Sequence, residues 1–184
     1  MATAVESRGA ATPREIEVWD PLVRAFHWSL LAAFFGALLT GDEFERLHVT
    51  LGYIVAGLVA FRLVWGVVGT RHARFSDFVY GPKTIAEHLR ATMRLRARRY
   101  IGHNPAGGAM VIALLVMLAV VSLSGYMMTG GAFRNAEWLE ELHEGAAYLT
   151  VGLIALHVVG VAVASLEHGE HLVRSMITGR KRAE

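Results

Sequence analysis

Long apolar stretches alternate with shorter polar ones along most of this chain. A helix needs about twenty mainly apolar residues to cross the hydrocarbon core of a bilayer. Four stretches meet that length, at residues 21–40, 47–68, 105–129 and 142–166. Glycine and proline, which interrupt helices, mark the joins between them. The pattern predicts an all-α integral membrane protein, a four-helix bundle that forms a single domain over residues 1–184.

The first of these stretches carries a helix-initiation signal. Asp20 can accept hydrogen bonds from the free backbone N–H groups of a first helical turn. Pro21 follows it, and proline suits the first helical position because it has no N–H to satisfy there. We therefore expect a helix to begin at residue 21.

Composition narrows the possible chemistry. Hydrophobic residues make up 54% of the chain, and there are no cysteines. Disulfides, thiolate-ligated iron–sulfur clusters and covalently attached haem c are therefore excluded. We expect membrane lipid around the protein and no nucleic-acid partner.

Charge is unevenly distributed, although the formal net charge is only +2. Arginine and lysine concentrate in the segment 69–104 and near both ends of the chain, whereas the other two loops are acidic. The acidic residues of those loops are Asp42, Glu43, Glu45, Glu137, Glu140, Glu141 and Glu144. The positive-inside rule then predicts a multi-pass protein of the bacterial inner membrane, with both termini and the 69–104 loop in the cytoplasm.

The basic loop contains one further pattern. Ile85, Leu89 and Met93 recur at helical spacing among arginines. This spacing fits a helix lying in the membrane interface. A merely solvated basic loop beside anionic headgroups explains the same residues equally well.

Four of the nine histidines lie in or just inside the predicted spans. They are His27, His48, His143 and His157. An ionisable residue within a span is rare and indicates a functional site. His143 and His157 are fourteen positions apart, so they lie about 21 Å apart along a helix and within roughly 40° of the same face.

The four histidines fall at two depths of the predicted bundle. His48 lies at the depth of His143, near the periplasmic side, and His27 lies close to the depth of His157, near the cytoplasmic side. Two imidazoles from facing helices can hold the iron of a porphyrin between them. A single histidine near a helix end is more often only a polar group that reaches the interface. Two matched pairs instead predict two bis-histidine haem b groups.

Cationic and small residues near each pair are candidates for haem contacts. Candidates for pairing with propionates at the cytoplasmic side are Arg24, Arg62 and Arg71, and at the periplasmic side Arg46 and Arg134. Arg24 is equally explained as an anchor at the headgroups. Gly52, one turn after His48, would let a flat ring approach the helix, although glycine also serves helix packing.

Three other histidines offer alternative sites. His103 opens the third span and could replace His27 or His157 as a ligand, bind a quinone, or only precede the helix start. His168 and His171 have metal-like spacing, but two ligands without a third are a weak zinc signal.

Several segments together resemble the prokaryotic di-haem cytochrome b-561 family, which includes the cytochrome b subunits of nickel–iron hydrogenases. They are "VWDPLVRAFHW", "LHVTLGY", "FRLVWGVVGTRHARFSDFV", "GHNPAGGAM" and "ELHEGAAYLTVGLIALHVVG". The resemblance implies a transmembrane four-helix bundle in which His27 pairs with His157 and His48 with His143 on haem b. It also implies electron transfer between quinones and a redox partner, as in a respiratory chain.

The function that these features favour is electron transfer between a quinone site near the cytoplasmic face and a periplasmic redox partner. The acidic loops would steer a basic partner such as a c-type cytochrome. Alternatives are an oxidoreductase that acts on a small oxidant such as superoxide, a proton or metal transporter that uses the membrane histidines, and a purely structural membrane anchor.

Overall fold

The computed structural model describes residues 14–41, 43–131 and 133–183. Helices dominate this part of the chain, with two short strands near its ends. The elements are β1 (Glu15–Glu17), α1 (Pro21–Thr40), α2 (Glu45–Val68), a 3₁₀ helix (Arg71–Ala73), α3 (Phe75–Phe78), α4 (Pro82–Met93), α5 (Pro105–Thr129), α6 (Glu137–His168), α7 (Leu172–Thr178) and β2 (Arg180–Arg182).

The four predicted spans are confirmed as helices α1, α2, α5 and α6. Each is long and apolar enough to cross a membrane. The prediction of helix α1 from its start signal is also confirmed, because Asp20 accepts hydrogen bonds from the Leu22 and Val23 N–H groups at 2.9 and 3.0 Å. The predicted and observed helix ends differ most for α6. This helix runs from Glu137 to His168 and so extends beyond the predicted apolar stretch at both ends.

Helix α1 packs on α2, α2 on α5 and α5 on α6. A small core joins the first three of these helices through Phe34, Val55 and Leu118. Most of the remaining apolar side chains face outward, for example Val64 at 62% and Val158 at 60% exposure. Such a continuous apolar outer surface is typical of a surface that contacts lipid rather than water.

The two ends of the bundle differ in structure and charge. One, which we call the acidic end, holds the connections from α1 to α2 and from α5 to α6. Its described acidic residues, Glu43, Glu45, Glu137, Glu140, Glu141 and Glu144, are all exposed. Asp42 lies outside the described residues.

The other, which we call the basic end, holds residues 69–104 and both ends of the described chain. Here β1 pairs antiparallel with β2, a strand pair that the sequence patterns did not predict. Arg99 donates to Glu170 and thereby joins the 69–104 segment to the turn after α6. Residues 85–93 are helical within α4, as their spacing predicts. Leu89 and Met93 are exposed on this helix.

Candidate functional site

His48 on α2 and His143 on α6 face each other at the acidic end. Their ring centroids lie 6.0 Å apart, with the ring planes at 73° to each other. Two imidazoles that bind one metal ion, each through a ring nitrogen at about 2 Å, have centroids about 6 Å apart. The spacing therefore fits a single metal atom held between the two rings.

Backbone carbonyl groups orient both of these rings. His48 Nδ1 lies 2.8 Å from the Ala37 carbonyl oxygen, and His143 Nδ1 lies 3.0 Å from that of Val121. A carbonyl oxygen only accepts, so each Nδ1 carries the proton and each Nε2 keeps its lone pair for a metal. Ala37 is in the last turn of α1, whose carbonyls have no backbone N–H partner within the helix, although the Thr40 hydroxyl also lies 3.1 Å from the Ala37 oxygen. Neither contact could be predicted from the sequence, because every residue has a backbone carbonyl group.

Two neighbouring residues of α5 shape the surroundings of His143. The Ser124 hydroxyl donates to the Val120 carbonyl at 2.8 Å, so its oxygen is free to accept from His143 Nδ1 at 3.1 Å. At Gly125, an added Cβ would lie 3.0 Å from Cε1 of the same imidazole. The ring thus occupies space that any side chain at position 125 would crowd.

His27 on α1 and His157 on α6 line one cavity nearer the basic end. Apolar side chains of α1, α5 and α6 form most of its wall, including Phe34, Leu115 and Ile154. The cavity is open to the surroundings, and a volume of about 140 Å³ within it is accessible to a water-sized molecule. The cavity places two imidazoles on opposite helices around an apolar space.

Arg62 of α2 lines the same cavity and is only 3% exposed. Its guanidinium lies over the Phe75 ring, 5.1 Å from the centroid. Its Nη1 atom and the Nδ1 atom of His27 are both buried without a hydrogen-bond partner among the described residues. A buried cation without a partner is costly, so the cavity is suited to a ligand that carries an anionic group.

The other predicted haem contacts, Arg24, Arg71 and Gly52, do not line this cavity. Arg24 Nη1 donates to the Ile177 carbonyl at 2.5 Å and so holds α7 against α1. The Arg71 side chain is 80% exposed, lies 3.6 Å from the Asp77 carboxylate and is absent from the cavity lining. At Gly52 an added Cβ would meet no atom within 4 Å, so the surface of α2 beside His48 is open.

His103 does not line the cavity between His27 and His157. Its ring packs between Trp19 and Phe78, with centroids 4.6 Å away on each side. Burial, reinforced by the nearby Arg62 guanidinium, lowers the pKa of His103 to about 3, so the imidazole is neutral near pH 7. Within the described ranges, no three or more His, Asp or Glu side chains come together as a metal site. His168 and His171 therefore have no third metal ligand among the described residues.

Apolar membrane helices that bring histidines together in pairs define the class of b-type membrane cytochromes. Residues 18–179 match the family model described as prokaryotic cytochrome b561, and the chain belongs to this family. It is thus a membrane protein of electron transfer, and haem b is the prosthetic group of its family.

Curated relatives cover nearly the whole chain. A probable Ni/Fe-hydrogenase B-type cytochrome subunit of Azotobacter chroococcum mcd 1 is 26% identical, over 89% of this chain and 87% of the relative. A protein of the same description from Cupriavidus necator is 22% identical, over 97% and 93%. No solved structure matches.

The side chains present fit haem b in their chemistry. Neutral imidazole is a common axial ligand of haem iron. The apolar cavity suits the macrocycle, and the partnerless Arg62 nitrogen suits a propionate.

Proposed function

We propose that this chain binds two haem b groups and carries electrons between the two ends of the bundle. His27 and His157 hold the basic-end haem, and His48 and His143 hold the acidic-end haem. When bound, each haem supplies a one-electron iron couple. The observation that carries the proposal is the acidic-end pair, whose rings are 6.0 Å apart with each Nδ1 on a backbone carbonyl.

The protein's own residues position and insulate these groups. The Nδ1 bonds to Ala37 and Val121 fix which imidazole nitrogen faces the metal, and hydrogen bonding of this kind raises the basicity of a ligand. Apolar walls around His27 and His157 exclude water, and Arg62 offsets the charge of a propionate. Gly52 leaves room beside His48 for a flat ring.

Charge sets the proposed orientation in the bacterial inner membrane. The basic end, with both termini, lies in the cytoplasm, because basic loops are retained on that side. A quinone from the membrane pool exchanges electrons near this end.

The acidic end then faces the periplasm. Its exposed glutamates favour a basic redox partner such as a c-type cytochrome. If this steering operates, the rate of reduction by a c-type cytochrome falls steeply as ionic strength rises. A rate that does not depend on salt contradicts the steering.

A partner subunit is a second candidate for the physiological donor or acceptor. The curated relatives are described as probable B-type cytochrome subunits of Ni/Fe-hydrogenases. By analogy, this chain would exchange electrons with a redox enzyme bound to it. Co-purification of such an enzyme from mild detergent distinguishes this version from transient collision with a soluble cytochrome.

The haem content of the purified full chain tests the proposal. A pyridine haemochrome assay should give two haem b per chain, and a redox titration should resolve two components. One haem per chain would limit the function to a single pair. No haem, with stoichiometric metal instead, would overturn the proposal and favour a transporter that binds metal at its membrane histidines.

A further inference from the structure

Four buried side-chain nitrogen atoms near the basic end lack hydrogen-bond partners among the described residues: Nε of Arg24, Nδ1 of His27, Nη1 of Arg62 and Nδ1 of His103. Two of these atoms, Nη1 of Arg62 and Nδ1 of His103, belong to side chains that pack against the same aromatic ring, that of Phe78. Buried polar groups in folded proteins are almost always paired, so each orphan needs an explanation. A ligand that accepts a hydrogen bond from both atoms would satisfy the two at once.

One aromatic side chain brings these two residues together. The ring of Phe78, which is 1% exposed, has its centroid 5.9 Å from the Arg62 guanidinium carbon and 4.6 Å from the His103 ring. Trp19 packs on His103 at the same distance of 4.6 Å. The imidazole is therefore held between two rings, close to the buried cation.

The acidic side chains nearest this cation are occupied elsewhere. Asp20 accepts from the Thr70 hydroxyl at 2.6 Å and from the Trp65 indole at 3.3 Å, in addition to capping α1. Asp77 binds His72 at 2.9 Å and Arg71 at 3.6 Å. Neither forms a salt bridge with Arg62. An anion from outside the chain would therefore compensate the buried charge of Arg62.

We propose that Arg62 and His103 form one carboxylate-binding site, and that its ligand is a propionate of the haem held by His27 and His157. The inference rests on the proposed function and adds His103 to it as a propionate donor rather than an iron ligand. Arg62 supplies the charge. His103 is neutral and supplies an N–H without adding a second buried cation.

A porphyrin without free carboxylates tests this site in the wild-type protein. The full chain is produced in haem-deficient cells and loaded in detergent with haem b or with haem dimethyl ester. At the basic end, the ester should bind on the order of tenfold more weakly, the usual effect of losing one hydrogen bond to a charged group. This comparison needs no substitution and so does not depend on the folding of a variant.

Substitutions then test whether Arg62 and His103 cause the preference for haem b over its ester. Arg62→Gln and His103→Leu should each remove most of the preference for haem b over its ester. His103→Asn should keep it, because the amide nitrogen of asparagine can carry an N–H close to where the imidazole has Nδ1. Arg90→Gln, on the exposed surface of α4, is the matched charge control and should behave as wild type.

Each failure has a distinct meaning. Two bound haems with equal binding of the ester at the basic end would overturn this inference and leave the proposed function intact. If the ester bound as tightly as haem b while acetate raised the unfolding temperature only when Arg62 is present, the ligand would be a free carboxylate and the propionate assignment would be wrong. Absence of the basic-end haem in wild type would overturn both the inference and the proposed function.

Discussion

The two histidine pairs are built in different ways. At the acidic end, His48 and His143 stand 6.0 Å apart, and carbonyl groups of neighbouring helices hold both rings. At the basic end, His27 and His157 line a cavity between α1 and α6, and the Nδ1 atom of His27 is buried without a partner among the described residues. The first pair is oriented by the backbone, whereas the second depends on a ligand to complete its contacts.

The difference has a physical cause in the packing of the helices. His48 reaches the last turn of α1, where carbonyls lack a backbone N–H partner, and His143 reaches α5, on which α6 packs directly. His27 and His157 instead face an apolar space whose one charged lining residue, among those described, is Arg62. We expect changes at the acidic end to act through ring orientation, and changes at the basic end to act through the filling of the cavity.

Removing a histidine should give the largest effect and should separate the two ends. His48→Ala and His143→Ala should each reduce the haem content from two to one and abolish the same redox component. His27→Ala and His157→Ala should abolish the other component. The measurement is haem per chain together with a redox titration, and His171→Ala, at an exposed position past the last span, is the control. Loss of the same component from all four variants would contradict the pairing.

Crowding the His143 ring should affect only the acidic end. Gly125→Val adds a side chain at a position where the Cβ alone would lie 3.0 Å from the imidazole. Disturbing the contacts that orient a metal ligand typically lowers metal affinity about 10- to 100-fold. Haem retention during dialysis should therefore fall for the acidic-end component alone.

The matched control for this change is Gly57→Val on α2, where an added Cβ meets nothing within 4 Å. Equal haem loss from the two glycine variants would show that the effect is general destabilisation rather than displacement of His143.

The scaffold of the basic end should depend on Asp20. Burial alone would raise the pKa of this carboxyl, but hydrogen bonds from Thr70, Val23, Trp65 and Leu22 together lower it below its ordinary value. Because the folded-state pKa is depressed, this stabilisation is present above the pKa of the unfolded chain, about 3.9 for an unperturbed aspartate, and is lost as pH falls through the folded-state pKa.

Asp20→Asn keeps the cap but loses the acceptors for Trp65 and Thr70. We expect about 1–2 kcal/mol of destabilisation at neutral pH. The difference from wild type in thermal unfolding should shrink in strong acid. Glu17→Gln, an exposed acidic position nearby, is the control. A difference that stays constant down to the lowest pH would contradict the role of the charge.

Removing one hydrogen bond at the acidic end should give the smallest effect. Ser124→Ala deletes the hydroxyl that lies 3.1 Å from His143 Nδ1 but leaves the Val121 carbonyl in place. The ligand becomes slightly less basic, so the potential of the acidic-end haem should rise by tens of millivolts at most, since one bond contributes about 1 kcal/mol.

Ser122→Ala is the matched control for this substitution. Ser122 lies two positions away on α5, and its buried hydroxyl has no partner among the described residues. An equal rise in potential for both serine variants, or a shift confined to the basic-end haem, would contradict a specific role for Ser124.

The sequence by itself determined the four helices and singled out the four histidines that we propose as haem ligands. Runs of about twenty apolar residues leave no other element that satisfies its backbone in a membrane, so α1, α2, α5 and α6 followed from composition and length. The helical repeat placed His143 and His157 on one face without any knowledge of their neighbours. The helix start at Asp20 was equally local, because a cap depends on the next three residues.

Only the tertiary structure decided which polar groups meet. Three arginines near the basic end looked equivalent along the chain, yet Arg62 lines the cavity, Arg24 holds α7 and Arg71 lies on Asp77. The carbonyls that orient His48 and His143, and the pairing of β1 with β2, involve backbone atoms that every residue possesses. Such contacts leave no mark in residue type, because they depend on how helices far apart in sequence approach one another.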